Sequence, residues 1–334
     1  MAEHPGREQL LKRYINVADA RLGAVALYVT DDFFAAKERM LQPGEPEWRA
    51  GVYDDHGKWM DGWESRRRRD QGHDHCVLKL AAPSTLVALD IDTRYFTGNF
   101  PPFASVQACR TDAEPTADTP WTELLPRSAL HGDQHNFFEL QSTGIWTHLK
   151  LNIYPDGGVA RFRAYGGVYR DWAREAGTAA IDLAAALNGG VALECSDEHY
   201  GSMGNLLLPG RGTSMADGWE TRRRRGPGYD WVIFRLGHSG KIERVEIDTA
   251  HYKGNFPHQV SIHGALLGAG QETDLRGQCL TWPLLLDLQL LRADSEHSFS
   301  AELQPLGPIS HARVNIHPDG GLSRVRMYGR PDRG

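Results

Sequence analysis

Four consecutive arginines occur twice in this chain, each time behind the same acidic and aromatic residues. Residues 61–69 read DGWESRRRR, and residues 217–225 read DGWETRRRR. Guanidinium groups stay protonated and repel one another at short range, so local stability alone does not explain a repeated cluster. A planar guanidinium matches a carboxylate through two parallel hydrogen bonds. The repeated clusters therefore indicate either an anion-binding site or a dense set of structural ion pairs.

The spacing within each cluster divides the arginines into two pairs. Successive side chains of an extended segment point to opposite faces, so Arg66 and Arg68 share one face, while Arg67 and Arg69 share the other. One pair is then free to meet a ligand, while the other pair meets carboxylates of the protein. The alternation does not decide which pair has which role.

Carboxylates that recur in both halves of the sequence are the candidates for proton transfer, which requires an acid and a base. Glu64 matches Glu220, and Asp92 matches Asp248. Both aspartates end an apolar segment directly before a GNFP loop, where a β-sandwich presents its binding loops. We predict these four residues as catalytic. The aspartates of the repeated PDGG motif are more simply turn residues.

The similarity between the two halves extends far beyond the arginines. INVADARLGAVAL (15–27) matches IDLAAALNGGVAL (181–193) at an offset of 166, and the arginine clusters match at an offset of 156. THLKLNIYPDGGVARFRAYG (147–166) matches SHARVNIHPDGGLSRVRMYG (310–329) at an offset of 163. Such a long period indicates duplicated domains rather than a solenoid. We predict two domains, residues 14–166 and 180–329.

Short segments bounded by turn signals fill each half. CVLKLA, LVALDID and LKLNIY in the first half correspond to WVIFRLG, RVEID and ARVNIH in the second. Segments of this length and spacing are typical of antiparallel sandwiches. The sequence therefore predicts an all-β fold of two tandem sandwiches, with a single short helix near residues 8–20.

Composition limits the classes of function. The 334 residues carry a formal net charge of −6, which argues against general nucleic-acid binding. No apolar run is long enough to cross a membrane. The four cysteines show no metal-ligand spacing, and the N-terminal residues show no apolar signal region. We expect reduced thiols and a cytoplasmic location.

Fifteen histidines raise the question of a metal site. His73 and His75 have the spacing of two ligands on one strand face, but Tyr229 and Trp231 occupy the matching positions. A credible site needs three or four convergent ligands, which these spacings do not show. We assign no metal-ligating residue, and activation by a divalent metal is left open.

Four repeated patterns together resemble the allantoicase family. They are DGWE[ST]RRRR, GYDWVIFRLG, the pattern D-T-x-x-[FY]-x-G-N-x-P and NI-x-PDGG. The resemblance covers nearly the whole chain and includes the duplication. It implies two jelly-roll, galactose-binding-like domains that hydrolyse allantoate to ureidoglycolate and urea without an obligatory organic cofactor. It also implies a homo-oligomer.

The resemblance suggests roles for the repeated residues. Allantoate has a carboxylate and two ureido groups on one carbon, so it needs a guanidinium clamp and amide-like partners. We assign substrate binding to six residues: Arg66, Arg68, Asn99, Arg222, Arg224 and Asn255. Gly-Asn also suits a positive-φ turn, so a structural role for the asparagines stays open. His75 replaces an expected tryptophan in the first half, and whether one or both halves are active stays open.

Two other functions fit the same fold class. A tandem carbohydrate-binding protein would present exposed aromatic platforms and would need no repeated arginines. A structural protein would use the arginines to form interfaces. Release of urea from allantoate separates both alternatives from the hydrolase, because neither would produce any.

Overall fold

The computed structural model describes residues 7–175, 179–268 and 270–332. The chain divides between Tyr169 and Arg170 into two compact units. Each unit consists mainly of antiparallel strands, with a few short helices near the chain connections.

Within residues 7–169, the first unit contains one α-helix, twelve strands and two short 3-10 helices. The α-helix α1 spans Arg7–Arg13, and the 3-10 helices span Ala20–Leu22 and Lys37–Leu41. The strands are β1 (Ile15–Asn16), β2 (Val25–Val29), β3 (Tyr53–Asp54), β4 (Gly57–Lys58), β5 (Trp63–Glu64), β6 (Asp74–Asp92), β7 (Phe103–Cys109), β8 (Thr122–Ala129), β9 (His135–Glu139), β10 (Trp146–Tyr154), β11 (Gly158–Val159) and β12 (Arg161–Val168).

The second unit repeats this order without the β3–β4 hairpin. Its strands are β13 (Ile181–Asp182), β14 (Val191–Cys195), β15 (Trp219–Glu220), β16 (Asp230–Asp248), β17 (Gln259–Ala265), β18 (Leu284–Leu290), β19 (Glu296–Phe299), β20 (Ile309–His317), β21 (Gly321–Leu322) and β22 (Arg324–Pro331). Its helices are α2 (Trp172–Glu175) and α3 (Leu275–Gln278), with 3-10 helices at Ala186–Asn188, Met203–Leu207, Met215–Asp217 and Cys279–Thr281.

One long strand joins the two layers of each unit. In the first unit, residues 74–79 of β6 pair with β2 and β10, and β7 and β8 extend this layer. Residues 84–92 of the same strand pair instead with β12 and β9, and β1 extends that layer. Strand β16 has the same double role between β14 and β20 and between β22 and β19.

The core of the first unit lies between these layers. Alternate residues of β6 face it, so Cys76, Leu78 and Leu80 are buried while the residues between them are more exposed. Phe162 and Trp63 are fully buried in the same cluster. Period-two burial of this kind is what the segment pattern of the sequence predicts for a sandwich.

The predicted fold class, an all-β chain of two tandem jelly-roll sandwiches, is confirmed. The predicted helix at residues 8–20 is too long, because α1 ends at Arg13. Directly afterwards, Ile15 and Asn16 pair with Gly166 and Tyr165 and so extend the sheet. None of the helices among the described residues is long and apolar enough to cross a membrane.

Candidate active site

Three of the repeated motifs meet at one place in the first unit. The backbone N–H of Ser65 donates to the carbonyl of Gly157 at 3.1 Å, and the N–H of Arg68 donates to Asp156 Oδ2 at 2.8 Å. The N–H of Gly158 donates to the carbonyl of Asn99 at 2.7 Å. The PDGG turn therefore holds the arginine segment on one side and the GNFP loop on the other.

Glycine is required at the centre of this junction. Gly157 has a φ of +138°, and a Cβ there would lie 2.6 Å from the backbone nitrogen of Pro101. The matching Gly320 has a φ of +130°, and its Cβ would lie 2.5 Å from the carbonyl oxygen of Asn255. A side chain at either position would push the two loops apart.

Glu64 and Asn99 come together at the junction. Asn99 Nδ2 donates to Glu64 Oε1 at 2.6 Å. Strand β5 places Glu64 opposite Gly158 of β11, and the half-buried carboxyl has lost part of its contact with water. Burial raises the pKa of Glu64, and the hydrogen bond from Asn99 offsets only part of that rise. A carboxyl with a raised pKa holds its proton closer to neutral pH.

The even-numbered arginines are bound to carboxylates of the protein. Arg66 donates from its backbone N–H and from Nε to Asp31, at 2.8 and 2.7 Å. Arg68 contacts Asp74 through NH1 at 2.6 Å and Asp70 through Nε at 2.6 Å. The structure therefore places both residues assigned to substrate in ion pairs, and their binding role stays a prediction.

Arg67 points to the other face and lines an open pocket of about 320 Å³ together with Glu64 and Asn99. Its exposed guanidinium forms no ion pair with any residue that the structure describes. Phe34 and Phe100 supply apolar surface to the same pocket. A volume near the lower end of the usual range for ligand sites, about 300 Å³, suits a small molecule.

Asp92 does not line this pocket but lies in a buried ion-pair network. Its carboxylate accepts from Arg94 Nε at 3.0 Å and NH2 at 2.6 Å, and Arg163 NH1 lies 3.5 Å away. Burial raises the pKa of Asp92, but the hydrogen bonds from Arg94 outweigh burial and the net pKa lies below its ordinary value. Its predicted catalytic role is not tested by this position, which fits an ion-pair partner.

The same network contains three side chains whose ligand atoms lie within 4.8 Å of one another: Glu45, Asp92 and His135. Their carboxylates already contact guanidiniums, since Arg163 NH2 lies 3.4 Å from Glu45 Oε1 and Arg94 contacts both acids. A divalent cation there would have to displace those arginines. We therefore assign no metal to this cluster, and metal activation stays open.

The second unit places its predicted residues in the same way. Asn255 Nδ2 donates to Glu220 Oε1, and Arg222 pairs with Asp197 at 2.7 Å. Arg224 pairs with the buried Asp230. Asp248 accepts from Arg211 Nε at 2.9 Å, so it too is part of an ion pair.

Sequence reasoning singled out Glu64 and Asn99, which the structure brings together. It assigned Arg66 and Arg68 to the substrate, whereas Arg67 is the arginine that lines the pocket. The signal that separates the pairs is the recurrence of Asp31 as Asp197, at the same offset of 166 as the surrounding segment. An acid repeated with the arginines indicates a repeated ion pair. Phe34 lies in none of the repeated motifs, so the sequence did not indicate that it lines the pocket.

His75, which stands where the resemblance leads us to expect a tryptophan, is not among the residues that line the pocket. His75 lies on the face of β6 opposite the core residues Cys76 and Leu78, as Trp231 does on β16. Burial, with help from Lys150 and His73, lowers the pKa of His75 to about 4. This exchange changes the outer sheet face and leaves the Glu64–Asn99 pair in place.

The duplicated jelly-roll fold defines a tandem β-sandwich protein, and a small polar pocket lies at the junction of its repeated motifs. The allantoicase repeat family matches residues 15–169 and 181–332. This chain belongs to the allantoicase family and is a hydrolase, as its motifs predict.

Relatives support this membership over nearly the full length. A probable allantoicase of Pseudomonas aeruginosa (strain UCBPP-PA14) is 54% identical over 96% of this chain and 97% of its own length. A probable allantoicase 2 of Burkholderia pseudomallei (strain K96243) is 51% identical over 97% of both chains. The crystal structure of allantoicase from Saccharomyces cerevisiae is 33% identical, covers 98% of each chain and superposes with a TM-score of 0.83.

Proposed function

We propose that this protein hydrolyses allantoate to ureidoglycolate and urea, as a hydrolase of C–N bonds in linear amidines. The observation that carries the proposal is the convergence of Glu64, Asn99 and Arg67 in one small pocket. Family membership indicates the reaction, and the pocket supplies the groups that the reaction needs.

Arg67 binds the carboxylate of the substrate. Its guanidinium offers two parallel donors to a planar carboxylate, which the compact ammonium of lysine does not. Because no carboxylate among the described residues neutralises it, its charge is available for an anionic ligand. Phe34 and Phe100 supply the apolar part of the wall of the same pocket.

Glu64 transfers the proton. Its protonated form donates to the nitrogen of the departing ureido group, the C–N bond breaks, and the bonding electron pair leaves with urea. The lone pair of the remaining ureido nitrogen stabilises the cationic carbon. The ionised Glu64 then takes a proton from water, whose oxygen forms the new C–O bond. One water is consumed, and Glu64 regains its proton.

Asn99 positions this carboxyl. Its amide nitrogen holds Glu64 Oε1 at 2.6 Å, so Oε2 is the oxygen left to exchange the proton. The amide carries no charge, so it fixes the carboxyl without forcing it to ionise. An arginine in the same place would have lowered the pKa of Glu64.

The test is urea release from allantoate by the purified chain and by Glu64→Gln. We expect release by the wild type and a large loss in the variant. Glu123→Gln is the matched control, because Glu123 is an exposed glutamate on β8, outside the pocket. Normal release by Glu64→Gln would contradict the assignment of the pocket, and no release by the wild type would contradict the function.

We also propose a cytoplasmic homo-oligomer. The four cysteines are free thiols, and three of them are buried, which suits a reducing compartment. Light scattering tests the assembly, since a monomer of 37.2 kDa would contradict it.

A further inference from the structure

We infer that the second unit carries a second, separate site for the same class of ligand, a ureido-carboxylate anion. The inference rests on the function proposed for the pocket of the first unit. The fold of the second unit does not depend on residues that would contact a ligand. Retention of those residues therefore indicates a role beyond the fold.

The three motifs are joined in the second unit by the same hydrogen bonds. The N–H of Thr221 donates to the carbonyl of Gly320 at 3.1 Å, as Ser65 does to Gly157. The N–H of Arg224 donates to Asp319 Oδ2 at 2.7 Å. The N–H of Gly321 donates to the carbonyl of Asn255 at 2.9 Å. The junction that builds the first pocket is therefore complete in the second unit.

The functional side chains at this junction also recur. Asn255 holds Glu220 Oε1 through its amide nitrogen, as Asn99 holds Glu64. Arg222 and Arg224 are occupied by Asp197 and Asp230. Arg223 is exposed and, like Arg67, forms no ion pair within the described part of the chain. A scaffold role explains the paired arginines, whereas Arg223 matches Arg67, the arginine that lines the first pocket.

Thr221 replaces Ser65 and keeps its hydroxyl, and two further positions around the second junction change in chemical character. The N–H of Tyr200 bonds to the carbonyl of Glu220 as that of Phe34 does to Glu64, so a phenol stands where the first unit has a benzyl group. The backbone carbonyl of His258 accepts from the N–H of Leu291, as the carbonyl of Pro102 accepts from the N–H of Leu130. A histidine therefore stands where the first unit has a proline. Both exchanges add polar groups, so the two sites should differ in affinity for the ligand. Each site keeps an arginine of its own for the carboxylate.

Calorimetric titration with hydantoate provides the test. This ligand carries the carboxylate and one ureido group but lacks the second ureido group that departs as urea. We expect two molecules to bind per wild-type chain. Arg223→Ala should weaken one of the two binding events by roughly 30- to 150-fold, the loss typical of one hydrogen-bonded charged contact. Arg67→Ala should weaken the other, and the exposed-residue control Glu123→Gln should weaken neither.

Several outcomes would overturn the second site. A stoichiometry of one that disappears with Arg67→Ala, or an Arg223→Ala variant that binds like wild type, contradicts it. Loss of both events in Arg67→Ala would show one composite site instead. Circular dichroism checks folding, and Arg223→Lys, which keeps the charge, serves as a milder variant with a smaller expected loss.

Urea release from allantoate, measured in parallel, separates this inference from the proposed function. Normal release with one bound hydantoate contradicts only the second site. Two bound molecules without urea release support both binding sites and contradict the hydrolase function. The absence of any hydantoate binding contradicts both the clamp of the first unit and the second site.

Discussion

Glu64 and Asp92 are two repeated carboxylates that the protein places in opposite environments. Glu64 is half-buried beside a neutral amide, and its pKa is raised. Asp92 is fully buried beside two guanidiniums, and its pKa is lowered. Burial alone raises the pKa of both, so the charge of the partner determines the final direction. A carboxyl suited to exchange protons is thus distinguished from one that stabilises the fold.

The largest effect should come from removing the acid of Glu64. Glu64→Gln keeps the size of the side chain and loses its exchangeable proton, so kcat should fall by roughly two to four orders of magnitude. Steady-state urea release measures it. A kcat within a few-fold of the Glu123→Gln control would contradict the assignment of Glu64 as the proton donor.

Asp92→Asn should act on stability rather than on chemistry. Removing the buried charge of Asp92 leaves Arg94 and Arg163 with only the exposed Glu45 as a shared carboxylate, which lowers the free energy of unfolding by about 3 kcal/mol. Urea denaturation measures it, with Asp112→Asn as the exposed control. A stable variant with a large loss of kcat would show that Asp92 is catalytic, as the sequence alone predicts.

Arg66 and Arg67 are neighbours in the sequence that also differ in their surroundings, because Arg66 pairs with Asp31 and Arg67 lines the pocket. Arg67→Lys keeps the charge but loses the bidentate contact with the substrate, so kcat/KM should fall by roughly 10- to 30-fold, or about 1.4–2 kcal/mol. Arg66→Lys should affect kcat/KM much less, since its partner is the protein's own Asp31. Equal losses in both variants would restore Arg66 as a ligand of the substrate.

The smallest effect is a gain in stability for Glu64→Gln. Because the folded pKa of Glu64 is raised, its favourable contribution is complete below the unfolded pKa, near 4.3, and is lost as pH rises through the folded value. The Tm of the variant relative to wild type should therefore increase from acidic to neutral pH. A Tm difference that stays constant over this range would contradict the raised pKa.

Much of this architecture can be predicted from the sequence, because the same pattern of segments and motifs occurs in both halves of the chain. The period-two segments predict the sandwich, and the offsets predict the repeat. Residues 76–81 and 86–92 are not recognisable as one strand, since Pro83 lies between them and normally interrupts a ladder. In the structure Pro83 is part of β6, at the place where pairing changes from β10 to β12.

The site was predicted less completely, for a physical reason. Glu64 and Asn99 lie within repeated motifs, so both can be selected as candidates from the local sequence. Arg66 is held in an ion pair with Asp31, which lies 35 residues earlier in the chain. Only folding brings Arg66 Nε within 2.7 Å of the Asp31 carboxylate. The alternation of side chains separates the two arginine pairs, but tertiary contacts decide which pair faces the ligand.

The continuity of β6 has a consequence for how the first unit opens. Amides on both layers depend on one 19-residue strand, so neither layer can separate from the other without breaking the ladder of that strand. Hydrogen exchange should therefore reveal a single cooperative foldon rather than two, with the slowest amides along β6. Its partners run from β2 near residue 25 to β12 near residue 168, and such distant pairing makes folding slow compared with that of a helical protein of similar size.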